Sequence, residues 1–172
     1  MTPAGRRTPL PSTATAAMVE TAWHYRLDEV SPADLPMTAA HALADGLDTP
    51  ALCELAGLPR NADTGDVREL YERALRELGI QLPEPATAQR YRLHRLARLI
   101  LHDTAADPAV LARDDWHEIP AATVEERDLA ALLPSCSCCL EYTLPADRGV
   151  WTVELRAAAS ALALAPPIGP GS

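Results

Sequence analysis

The chain contains no lysine and no phenylalanine: all fifteen basic residues are arginine, and three Trp and four Tyr supply every benzenoid and indole ring. β-Branched aliphatics are scarce too, with 11 Val plus Ile against 57 Ala plus Leu in 172 residues. Ala and Leu lose little freedom in a helix and β-branched side chains lose more, so this shortage speaks against a sheet protein. No apolar run approaches the roughly 20 residues that a spanning helix needs, which excludes an integral helical membrane protein. Positive charge is in deficit. Fifteen Arg face 24 Asp plus Glu, a net −9, and that balance argues against general affinity for nucleic acid or anionic lipid. What is present, a 48% apolar share, excludes wholesale disorder. About 150 residues can bury roughly two thirds of their unfolded surface in a single core.

The first residues, MTPAGRRTPLPSTATAAMV, carry the pair Arg6-Arg7 but lack the apolar segment of an export signal. A Pro/Thr/Ala tail is expected there. The missing Lys and the abundance of Ala, Arg and Pro suit a coding bias toward G and C, in which Met18 becomes a candidate start. With no export signal in view, Cys53, Cys136, Cys138 and Cys139 are expected as reduced thiols in the cytoplasm.

Helix punctuation is legible along the chain. Ser31-Pro32-Ala33-Asp34 has the spacing of a weak capping box, and a short helix from about Pro36 to Asp45 should stop at Gly46. Asp48-Thr49-Pro50 restarts a helix, which Gly57 and Pro59 end. From about Thr64 to Leu78, the residues Val67, Leu70, Tyr71, Ala74, Leu75 and Leu78 form one apolar stripe at helical spacing. Glu69/Arg73 and Glu72/Arg76 sit at i,i+4 on its other side. A fourth helix is expected from about Ala86 to His102, a fifth from Asp107-Pro108 to about His117, and a sixth from the capping box Thr123-Val124-Glu125-Glu126 to just before Pro134. Residues 134–146 read as a loop, and a last helix should span about Arg148 to Leu164.

Two clusters could carry chemistry. Cys136 and Cys139 stand at C-x-x-C spacing, which half a zinc site or a redox pair would use, with Cys138 between them. No second C-x-x-C or paired-His motif completes a four-ligand site. His102, Asp103, Asp107, Asp114, Asp115, His117 and Glu118 gather carboxylates and imidazoles within 17 residues, with Asp114 and His117 at i,i+3. Acids near helix starts and His near helix ends are also what helix dipoles favour. Cys136, Cys138, Cys139 and His117 are therefore candidate metal ligands only, and no catalytic residue or cofactor is assigned. Nucleophile-elbow, P-loop, H-E-x-x-H and G-x-G-x-x-G motifs do not occur.

Charge placement says more. Between Gln89 and His102 lie Arg90, Arg92, Arg95 and Arg98 without an acid, so the remainder of the chain carries −13. These four arginines are candidate partner-binding residues, but with thirteen net negative charges on the rest of the chain their pairing is expected to be mainly with acids of the same bundle. A helix-turn-helix reading of Leu52 to Leu58 with the helix after Thr64 fails on a long turn and on Asp66, Glu69, Glu72 and Glu77, which would face phosphate.

The segments LADGLDTPALCELAGLP, VRELYERALRELGI and RLARLILHDTAADPAVLARDDW, within Leu43 to Trp116, resemble a family of small uncharacterised bacterial proteins from G/C-rich genomes. The resemblance implies a helical domain with no assigned activity, and the Cys136–Cys139 segment lies outside its pattern.

The expected fold is all-α: an irregular bundle of six or seven short helices with a disordered tail at 1–20, one helical domain at 21–165 and a flexible tail at 166–172. The expected function is a non-enzymatic protein-interaction or regulatory domain whose partner is another protein, not nucleic acid or membrane. A specific version is an immunity-like protein that uses carboxylates to neutralise a basic toxin. The alternative is a metal-dependent or thiol enzyme built on the Cys136–Cys139 and His102–Glu118 clusters.

Overall fold

A computed structural model describes residues 13–103, 107–112, 119–134 and 142–170. The described residues are helical with intervening turns, and they fall into two compact units, 1–83 and 84–172. The fold is all-α, with eight α-helices among the described residues.

In the first unit, α1 spans Thr13–Arg26, α2 Leu35–Ala44, α3 Pro50–Ala56 and α4 Thr64–Glu77, with a 3-10 turn at Pro32–Asp34 before α2. Helix starts follow the local chemistry. The Thr49 hydroxyl accepts from the Leu52 amide and the Asp63 carboxylate from the Gly65 amide, each satisfying a donor that the first turn leaves open. Ser31 does the same for the 3-10 turn through Ala33. Helix α2 ends at Gly46, whose φ of +93° lets the Leu47 amide reach back to the Ala42 carbonyl. Gly79, at φ +70°, closes α4 alike, and its successor Ile80 is buried. The α4 stripe packs inward as its spacing predicts: Val67, Tyr71, Ala74 and Leu75 are buried, with Leu70 and Leu78 partly so. They meet Leu35, Leu52 and Leu55 from α2 and α3, and Met18, Ala22 and Tyr25 from α1. The Tyr25 and Tyr71 rings meet edge-on at 4.8 Å. Helix α1 occupies part of the stretch read on sequence as a tail. Met18 lies buried within it.

In the second unit, α5 spans Pro85–His102, α6 Pro108–Leu111, α7 Val124–Leu132 and α8 Pro145–Ala163. Helix α5 packs along α8, and α7 packs against both. Leu93, Leu96, Ala97 and Ile100 of α5 close on Leu129 of α7 and on Leu155, Ala159 and Leu162 of α8. Asp107 caps α6 through the Ala109 amide, and Arg148 donates to the same carboxylate at 2.6 Å. The Trp151 indole donates to the Leu132 carbonyl at 2.8 Å, joining α8 to the end of α7. Past α8, Gly169 is buried at φ +147°, and a Cβ there would stand 2.8 Å from the Tyr91 ring.

Candidate functional site

Of the sequence-predicted site residues, the four arginines of α5 are described. Arg90 lies on the first turns of α5, and its Nε donates to both carboxylate oxygens of Glu126 at 3.0 Å. Arg92 and Arg95 are half-buried and both engaged within the molecule; the Arg95 guanidinium carbon lies 5.8 Å from the Tyr91 ring centre. Arg98 is exposed. The arginine helix thus turns at least one of its four guanidinium groups inward, onto an acid of its own unit.

That acid is the most enclosed polar group described. Glu126 is the third residue of α7, and its carboxylate reaches back to the Thr123 amide while the Thr123 hydroxyl accepts from the Glu126 amide. The same carboxylate accepts from the Ala122 amide at 2.7 Å and lies 3.0 Å from His94 Nε2. Glu126 is 0% exposed. Burial on its own pushes a carboxyl pKa up. Here hydrogen bonds from Arg90, Ala122, His94 and Thr123 outweigh burial and hold the group down at about 2. Both of its oxygens are thus engaged within the unit. It is a tie between α5 and α7.

The thiol cluster Cys136, Cys138 and Cys139 lies outside the described residues, as do Asp114, Asp115, His117 and Glu118. His102, Asp103 and Asp107 are described and exposed, and Asp107 pairs with Arg148. Cys53 is exposed, 3.9 Å from an Asp48 oxygen. Among the described residues no group of three or more His, Cys, Asp or Glu is placed to hold a metal ion. No helix among them is long and apolar enough to cross a membrane.

A different surface stands out on α8. One side of that helix, with Leu155, Ala159 and Leu162, is fully buried against α5 and α7. The opposite side carries Ala146, Val150, Val153, Ala157, Ser160 and Leu164, all exposed. Their steps of four, three, four, three and four residues keep them on one line along the helix, the spacing of a coiled-coil seam. Val150 is 59% exposed, Val153 69% and Leu164 90%. Asp147 and Glu154 flank this line on one side and Arg156 on the other. Leu144 and Tyr142, just before the helix, are exposed as well. The signal was present in the sequence as two apolar lines on one helix, where an ordinary surface helix has one.

No protein-family model, curated protein or solved structure matches this chain.

Proposed function

We propose that the chain is a non-enzymatic protein-interaction module and that the outer face of α8 is its binding surface. The exposed seam from Ala146 to Leu164 carries this reading. An amphipathic helix at a protein surface has reason to be apolar only on its buried side, and a second apolar line on the solvent side is what a helix-in-groove or helix-on-helix contact uses. At about 1.5 Å per residue the seam runs for roughly 27 Å, the length of a substantial helical contact. The chain's net charge of −9 is compatible with a basic partner of the immunity-like kind, though the seam itself is mainly apolar.

The test compares wild type with Val153→Glu, which places a charge in the middle of the seam, 69% exposed, where it should leave the fold intact. Wild type, Val153→Glu and Met37→Glu are each cross-linked in native-host extract and the captured species resolved by mass. Captured species that disappear with Val153→Glu and persist with an exposed change elsewhere, such as Met37→Glu, support the reading. Identical capture by all three proteins would remove α8 from any binding role.

A further inference from the structure

We infer that the occupant of the α8 face is a second copy of the chain, joined by antiparallel pairing of α8 with itself. This inference rests on the proposed role of α8 as a binding surface and names what that surface binds. Its basis is the order of side-chain sizes along the seam. A two-fold axis crossing the seam at the level of Leu155 sets Leu164 against Ala146 of the second copy, Val153 against its Ala157 and Val150 against its Ser160. Every pair then matches a larger side chain with a smaller one, so the two lines can interdigitate and the helices can approach closely. Parallel pairing would set each residue against itself, with Leu on Leu and Ala on Ala, leaving gaps at the small layers.

The area suffices. Val150, Val153, Leu164 and the small residues between them expose on the order of 500 Å² per copy, so full coverage by the pair would bury roughly 1,000 Å², the threshold for a specific interface. Every contact residue lies on the face turned away from the unit's own core, so pairing requires no rearrangement of Leu155, Ala159 or Leu162. The flanking charges give the dimer a signature. Antiparallel symmetry brings Glu154 beside Glu154 of the second copy on one rim and Arg156 beside Arg156 on the other, in addition to the repulsion between two chains of −9. Such like-charge pairs in solvent weaken the dimer without forbidding it. Added salt should screen them and tighten it, opposite to a contact driven by charge attraction.

Sedimentation equilibrium of the full chain tests this, run on wild type, Val153→Glu and Met37→Glu at low and high salt. A concentration-dependent dimer is expected for wild type and Met37→Glu. It should tighten with salt and weaken at least about tenfold in Val153→Glu, with circular dichroism unchanged. Leu164→Lys at the helix end is a second variant should Val153→Glu fail to fold, and the same weakening is expected. A benzophenone amino acid in place of Leu164 should cross-link to the second copy near Ala146; cross-linking near position 164 overturns the antiparallel arrangement. A wild type that stays monomeric overturns the second copy as occupant. If Val153→Glu then still abolishes capture of host proteins, the binding role of α8 stands with a different partner. If capture is also unchanged, both fall.

Discussion

Replacing Glu126 by Gln asks how much of the second unit depends on one buried charge. The carboxylate accepts from the Arg90 side chain and from the Ala122 and Thr123 amides, and lies in hydrogen-bond contact with His94. A glutamine of the same size offers one acceptor oxygen, and its amide hydrogens point into a nest of donors. The magnitude follows from the carboxyl pKa, which falls from the ordinary 4.5 to about 2 on folding. At about 1.4 kcal/mol per pKa unit, the charged form stabilises the folded state by on the order of 3 kcal/mol. Because the folded value is depressed, that contribution is fully present above about pH 4.5 and is lost as pH falls through about 2. Urea unfolding of wild type and Glu126→Gln, followed by tryptophan fluorescence and far-UV circular dichroism, should therefore show a gap of about 2–4 kcal/mol at pH 7. The gap should close as the buffer approaches pH 2, since the wild-type carboxyl is then protonated too. A loss below about 1 kcal/mol at pH 7, or a gap that stays constant across the acid range, would refute the assignment of Glu126 as a buried ionised tie.

Other positions give sharper single readouts. Leu75→Ala, in the core of the first unit, should cost about 2–5 kcal/mol in thermal unfolding, against a few tenths for the exposed Glu69→Ala. Tyr71→Phe should be neutral or stabilising by up to about 1 kcal/mol, because the buried Tyr71 hydroxyl meets no hydrogen-bond partner among the described residues; a clear loss would reveal an unseen partner. Gly149→Ala should stabilise by about 0.5–1 kcal/mol, since Gly149 is helical and an added Cβ meets nothing within 4 Å. Gly79→Ala should instead destabilise by about 1 kcal/mol, because its φ of +70° strains any L side chain, and a melting temperature at or above that of wild type would contradict this assignment.

Most helix boundaries were legible because their signals are local. Thr49-Pro50, Thr123 with Glu126, and Gly46 and Gly79 are chemical stop and start marks whose partners lie within five residues, and the structure uses each of them. The α4 stripe was equally readable, its period surviving intact over four turns. Helix α1 was not: its helix-favouring Ala14, Ala16 and Ala17 follow Pro9 and Pro11, and reading them with that Pro/Thr run as a tail hid the line of Ala14, Met18, Ala22 and Tyr25 that is buried in the first unit. Internal pairing of the arginine helix was the expectation from charge balance, but the acid that Arg90 meets was not readable. A glutamate at the third position of a capping box is usually solvated, and nothing in Thr123-Val124-Glu125-Glu126 tells that α5, 36 residues earlier, covers it. The two lines of α8 were written in its spacing, yet spacing alone does not say which line faces the core. Only the positions of α5 and α7 decide that.

The Thr123 turn has a consequence for exchange with solvent. Ala122 sits on the surface ahead of α7, in backbone that belongs to no helix, and amides in such places ordinarily trade their protons quickly. Its N–H, with that of Thr123, is bonded to a carboxylate oxygen sealed inside the unit. Fraying of the turn is opposed because it would strip two donors from a buried carboxylate that Arg90 and His94 hold in place. These two amides should accordingly exchange in deuterium oxide with the slow core of α5, as an exposed corner that reports the opening of the whole unit.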